Sequence, residues 1–401
     1  MAPLNSPKRI GILTGGGDVP GLNAVIKSVV YRSAEHGIEV TGIRRGWEGL
    51  TSVDLDDTES RARYIIPLNR ENTRTIERTG GTILHTSRTN PSKMKQVPAF
   101  LSGQGFPEKD GRWDMSSQVL KNLERLQIDA LIAIGGDDTL SFAAHVNRLG
   151  GKVIAVPKTM DNDVQGTEYA IGFSSAVTRA RELINRQRTT LGSHERIGVF
   201  RIFGRDAGFS ALYTAYVSSS RCVIPEVPYD LEQLAAVLAE DHRSNPSHYA
   251  LVISSEGAIW QGAALAEEGE VDSFGHRHKA NVGEALAVEL RARTGIETVS
   301  SELTYDLRSG EPDSLDSMVA ITFANVAMDL LADGITGRMV ALRDGKYAHV
   351  ALPDASLPKR VVDVAENYNV ERFRPRYDGR LGEPMLLLGA PGVDALAWAR
   401  S

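Results

Sequence analysis

Three short apolar runs in this chain each end directly in a polar turn, and that arrangement restricts the possible folds more than any other feature. Ile10-Gly-Ile-Leu-Thr14 leads into Gly-Gly-Gly-Asp-Val-Pro-Gly at 15–21, Ala130–Ile134 into Gly-Gly-Asp-Asp at 135–138, and Val153–Val156 into Pro-Lys-Thr-Met-Asp-Asn-Asp at 157–163. After the first turn, Leu22, Val25, Ile26, Val29 and Val30 recur at helical spacing, and 38–43 reads as the next strand. Strand, turn, helix and strand form the repeating unit of a parallel sheet covered by helices. The same reading predicts helices over 139–149, 174–191, 207–219, 280–293 and 317–331, and strands over 197–203 and 249–254. An α/β fold is expected throughout, each domain a mostly parallel sheet flanked by helices. At 401 residues, two domains are the natural division, placed at 1–172 and 173–401. Residues 91–114, rich in proline, glycine and charge, read as an inserted surface loop. From about Tyr347 onward the chain reads as a partly irregular C-terminal extension.

Composition excludes several classes. A net charge of −6 argues against a nucleic-acid partner while leaving room for small anions held locally. Cys222 is the single cysteine, so neither an intrachain disulfide nor a multi-thiolate metal site is available. No apolar run approaches the roughly 20 residues that a membrane span needs, and the N-terminus has no signal-peptide core. A cytoplasmic protein without a membrane partner is expected. Cys222 reads as a small buried residue.

In an open parallel sheet, ligands bind outside the carboxyl ends of the strands, where all three turns fall. The backbone N–H groups of Gly15, Gly16 and Gly17, with the following helix N-terminus, suit an anion; a tight turn without a ligand is the alternative. Asp137 and Asp138 open a helix, where capping is the plain reading and Mg²⁺ binding by Asp137 the functional one. Asp161 is a candidate general base, with Asp163 tuning it. Five carboxylates (Asp18, Asp137, Asp138, Asp161 and Asp163) converging on one crevice would repel one another. A divalent cation, Lys158 and arginines from elsewhere would restore the balance, and such a site suits phosphoryl transfer.

The motifs TGGGDVPGLN, GGTILHTSRTNP, IAIGGDDT, PKTMDND, SHERIGV, FGRDAG, IPE and LxxxLRSGEP-like wording at 303–312 follow one another here as they do in 6-phosphofructokinases. The chain resembles that family over roughly residues 8–335. The resemblance implies a two-domain α/β fold, an oligomer, and Mg²⁺-dependent phosphorylation of the 1-hydroxyl of fructose 6-phosphate. It further implies roles residue by residue. Gly16, Gly17 and Arg88 would hold the donor phosphates, and Asp137 the Mg²⁺. Asp161 would take the proton from the 1-hydroxyl, assisted by Thr159 and Asp163, while Arg205 stabilises the developing charge. Phe203 and Gly204 would line the sugar site, Glu226 would bond sugar hydroxyls, and Arg196, Tyr305 and Arg308 would serve the 6-phosphate. In the family Arg196 reaches in from a neighbouring subunit, so a homodimer or homotetramer is implied.

The donor is read from two positions. ATP-using relatives usually have GGDG and PGT(I)DND, whereas this chain has GGDD and PKTMDND, the pattern of the pyrophosphate-using branch. A carboxylate at Asp138 occupies the room that glycine leaves for a nucleotide's α-phosphate and repels it. Lys158 adds positive charge suited to compact pyrophosphate. An ATP-dependent enzyme and a non-catalytic phosphosugar or pyrophosphate sensor are the alternatives. Val299 stands where a second sugar-site arginine is expected, and Tyr31 where an effector-site arginine is common.

Overall fold

The computed structural model describes residues 7–263, 267–268, 278–279, 282–353 and 358–379. Two sheets organise it. The larger has seven strands, ordered Lys346–Ala351, Arg338–Arg343, Val153–Pro157, Ala130–Gly135, Arg9–Thr14, Glu39–Ile43 and Ile65–Leu68. Only its two outermost strands run antiparallel. The smaller sheet is parallel throughout, in the order Thr298–Leu303, Ile197–Ile202, Ala250–Ser255 and Arg221–Val223.

Burial explains the strand composition. Ala130–Gly135, Val153–Pro157 and Ala250–Ser255 are buried at every position, which is why the first two, and Ala250–Ile253 of the third, are continuous apolar runs rather than alternating ones. The expected helices form: Leu22–Glu35, Asp137–Arg148, Phe173–Ser193, Phe209–Ser218, Val282–Thr294 and Ser314–Ala332. Pairing Ile10 with both Val40 and Ala130, and Leu131 with Val153, puts the carboxyl ends of three central strands, and the three polar turns, side by side.

The chain does not pass once from one sheet to the other near residue 172. Strands Arg338–Arg343 and Lys346–Ala351, expected within the second domain and its irregular extension, join the edge of the first sheet. The cause is the helix before them. Ser314–Ala332 packs along Leu22–Glu35, so its end is delivered to the free edge beside Val153–Pro157. An Asp344-Gly345 turn with φ of 49° and 70° then closes a two-residue hairpin. Ser314–Ala332 is also long and apolar enough to cross a membrane by composition, contrary to the reading of the sequence; here half of it is buried against the protein. The 91–114 segment is not structureless: two 3₁₀ turns and a Glu108–Lys109/Arg112–Trp113 hairpin are tied together by reciprocal Met94–Trp113 backbone hydrogen bonds of 2.9 Å.

Candidate active site

A cleft of roughly 470 Å³ opens where the carboxyl ends of the two sheets face each other. From the larger sheet come Gly16, Gly17, Asp137, Asp138, Lys158, Thr159 and Asp161, with Arg88; from the smaller come Phe203, Arg205, Tyr305 and Arg308. Residues as far apart in sequence as Gly16 and Arg308 thus meet because each sheet presents its strand ends to the same space.

The glycine turn is held tightly. Gly15 N–H donates to the Ile134 carbonyl at 2.9 Å and Gly16 N–H to the Ser87 carbonyl at 3.0 Å. Two of the three N–H groups expected to face an anion are therefore engaged within the protein. Two cationic side chains stand against the turn. Lys158 is buried behind the turn and donates to the Gly17 carbonyl. Arg308 donates to the Asp18 carbonyl at 3.1 Å, and its guanidinium lies 4.5 Å from the centre of the Phe203 ring. Phe203 thus stacks on a site arginine. A Cβ on Gly17 would fall 2.3 Å from Arg308 Nη1, so only glycine lets that arginine rest on the turn. Gly204 has φ of +124°, and a Cβ there would meet Ser255 Oγ at 2.6 Å.

The Pro157–Asp163 loop is shaped by Asn162. It adopts φ of 54°, donates to the Glu168 carbonyl at 3.0 Å and accepts from Ala170 N–H at 2.8 Å. This leaves Asp161 facing the cleft, where its N–H donates to Thr159 Oγ1 at 3.2 Å and its buried Oδ1 has no hydrogen-bond partner. Burial and the neighbouring Asp163 raise the Asp161 pKa, which makes the carboxylate a stronger base than a solvated one. Burial and Asp163 raise that of Asp137 as well. Burial and the proximity of Arg308 lower Lys158 to about 7.

Several expected residues stand elsewhere. Asp18 lines a neighbouring hollow with Arg44, Arg45 and Arg63 rather than the cleft itself, although its charge still acts on Lys158 and Arg308. Glu226 is directed at the protein: its Oε1 accepts from Gly208 N–H at 2.8 Å and Val362 N–H at 2.9 Å, while its buried Oε2 has no partner. Arg196, at the amino end of its strand, pairs with Glu297 at 2.9 Å and does not reach this chain's cleft. Asp163 is buried just behind the cleft. Arg88 and Asp138 line the cleft as expected. Trp47 is a core residue, its Nε1 donating to the Thr139 carbonyl at 3.1 Å and its ring edge-on to Phe142. Cys222 is fully buried.

The structure also brings in residues that sequence reasoning missed. Arg201 pairs with Glu302 and, at 3.5 Å, with Glu256, which lies 3.7 Å from Arg205. Lys359 places its ammonium 3.6 Å from Asp137, 3.2 Å from Asp163 and 3.0 Å from Asp206. Asp206 sits inside the FGRDAG motif and was open to notice; Lys359 comes from the segment set aside as an extension.

The family model described as "Phosphofructokinase" matches residues 9–331. The chain belongs to the phosphofructokinase family. Among its relatives is a pyrophosphate–fructose 6-phosphate 1-phosphotransferase of Amycolatopsis methanolica, 38% identical over 372 residues that span 91% of this chain and 99% of that protein. An ATP-dependent 6-phosphofructokinase 3 of Streptomyces coelicolor is 35% identical over 350 residues, spanning 86% of this chain and 94% of that protein. Among solved structures, the pyrophosphate-dependent phosphofructokinase from Nitrosospira multiformis superposes with a TM-score of 0.74 at 17% identity, covering 96% of this chain and 94% of that one. The likeness establishes the two-sheet α/β fold as the phosphofructokinase fold. Lys359 lies beyond the residues that the family model matches.

Proposed function

We propose that this phosphofructokinase takes its phosphoryl group from pyrophosphate, giving fructose 1,6-bisphosphate and phosphate reversibly from fructose 6-phosphate, in the cytoplasm. The observation that carries the reading is the donor side of the cleft, with Asp138 in the first turn of Asp137–Arg148 and Lys158 behind the glycine turn. A carboxylate there disfavours a further phosphate carrying adenosine, and the lysine adds charge for a compact dianion.

Each residue then has a task. Asp161, raised in pKa and facing the cleft, takes the proton of the sugar 1-hydroxyl, with Thr159 fixing its loop and Asp163 sustaining its basicity. Arg205 stabilises charge that builds on the transferring group, and Arg88 and Lys158 hold the donor, next to Gly16 and Gly17. Tyr305, three-quarters exposed at the rim, and Arg308 serve the sugar phosphate, and Phe203 sets the angle of Arg308. Arg196 would serve a neighbouring subunit's site in a dimer or tetramer. Glu226 Oε2 is without a partner but buried, so it would reach a sugar hydroxyl only after the carboxylate turns from Gly208 and Val362.

The donor set fits Mg²⁺. Asp161 keeps a buried carboxylate oxygen without a partner, and Asp137 and Asp163 already share a cation in Lys359. Mg²⁺ commonly takes one or two carboxylates and completes its shell with water and substrate phosphates. Asp137 would hold it, and it would supply neutralisation of phosphate oxygens.

ATP use is the second reading, favoured by the ATP-dependent relatives of nearly equal similarity. Replacing Asp138 by Gly separates the two. On the pyrophosphate reading the variant gains ATP-dependent turnover that the parent lacks; unchanged ATP turnover in parent and variant supports the alternative.

A further inference from the structure

The segment 358–362 crosses from one half of the cleft to the other and is fastened at residues 360 and 362. Arg360 N–H donates to the Asp163 carbonyl at 3.0 Å, and its guanidinium donates to the Asn162 carbonyl at 2.8 Å while lying 4.2 Å from the centre of the Phe209 ring. Val362 N–H donates to Glu226 Oε1 at 2.9 Å. The strap therefore ties the loop that carries Asp161 to the first turn of the second sheet's helix and to the Ile-Pro-Glu motif. Its backbone is fixed within one residue of Lys359, and this confines where the lysine's ammonium can go.

That ammonium lies among three carboxylates from three different turns, 3.0–3.6 Å from Asp137, Asp163 and Asp206. We infer that Lys359 is a tethered counter-cation of the donor site, neutralising these carboxylates when no donor is bound and competing with a divalent ion for Asp137. The inference rests on the reading of Asp137 as the metal-holding residue. Geometry supports it from two sides. Asp137 Oδ2 faces the lysine at 3.6 Å, so a second cation held by that carboxylate stands close to a like charge. And the lysine side chain is 40% exposed toward the cleft, so it has space into which to withdraw. Burial works against the charged ammonium, but Asp163, Asp137 and Asp206 outweigh it and keep it protonated. The consequence is that the donor-free protein binds metal weakly and the metal arrives together with the phosphate charge that compensates it.

The test is a Mn²⁺ titration of the donor-free, full-length protein followed by electron paramagnetic resonance. Lys359→Gln, Lys359→Met, Lys359→Arg and Asp137→Asn are compared with the parent, each checked for an intact thermal melt. Two neutral replacements are carried so that the result does not hinge on one of them folding. Removing one positive charge beside a metal-binding carboxylate is expected to tighten Mn²⁺ about tenfold in either neutral variant. Lys359→Arg should match the parent, and Asp137→Asn should lose binding. Unchanged or weaker Mn²⁺ affinity in the folded neutral variants, with binding still lost in Asp137→Asn, overturns the inference and leaves the metal reading standing. Unchanged affinity in Asp137→Asn overturns the metal reading and the inference with it.

Discussion

Asp161 is a residue whose surroundings do more than its identity. A solvated aspartate is a poor base near neutral pH; here burial, Asp163 and Glu256 raise its pKa while Arg308 and Lys359 hold it back. The sign of the pH dependence follows. As pH falls through the raised value, Asp161 takes up a proton and can no longer accept one from the sugar hydroxyl, so turnover falls. The acid limb of kcat/KM for fructose 6-phosphate should stand well above the ordinary aspartate value of 3.8. A limb near pH 4 would mean that another group sets the rate. Asp161→Asn should lower kcat by about 10²–10⁴-fold with little change in sugar-phosphate binding, measured by calorimetry on the same preparation. At this scale the sequence is readable where chemistry depends on near neighbours. Gly17, Asp137, Asp138 and Asp161 each lie in a turn whose residues are contiguous. Lys359 is not readable in that way, because its partner Asp163 is 196 positions away and nothing local to Pro-Lys-Arg hints at it.

The elements are joined by a buried polar node that the hydrophobic pattern does not reveal. Asp316, in the first turn of Ser314–Ala332, accepts from Tyr169 Oη at 2.7 Å, Gly172 N–H at 2.8 Å and Ser175 N–H at 2.8 Å. One carboxylate thereby locks that helix onto the first turn of Phe173–Ser193, satisfying N–H groups that a helix start leaves open. Asp316→Asn keeps one accepting oxygen but turns an amide donor toward Ser175 N–H. The expected cost is about 1–3 kcal/mol, read as a lower urea midpoint, and wild-type stability in the variant would contradict the account. The expected helices match the observed ones because 3.6-residue periodicity reports burial directly. The Arg338–Ala351 hairpin is missed for a different reason. Asp344-Gly345 is a recognisable turn signal, but the prolines that follow it draw attention to irregularity, and membership of the first sheet depends on where the Ser314–Ala332 helix ends in space.

For the whole molecule, the two sheets and their facing strand ends are legible from the alternation of strands and helices. The return of the chain to the first sheet is not, since it is a property of tertiary packing. Arg196 poses a question about assembly. It stands at the amino end of Ile197–Ile202, whereas the cleft lies at the carboxyl ends, so any service to a sugar phosphate must be to a neighbour's site. Mixing Arg196→Gln with Asp161→Asn, each nearly inactive alone, should then restore part of the activity in hybrid oligomers, because one site receives both an intact base and an intact arginine. No recovery after subunit exchange would place Arg196 outside the reaction. The donor is the central claim, and one comparison addresses it most directly: initial rates at saturating fructose 6-phosphate and Mg²⁺ with pyrophosphate or ATP as the only phosphoryl source. Turnover with pyrophosphate and little or none with ATP is the predicted result; turnover with ATP and none with pyrophosphate would contradict it.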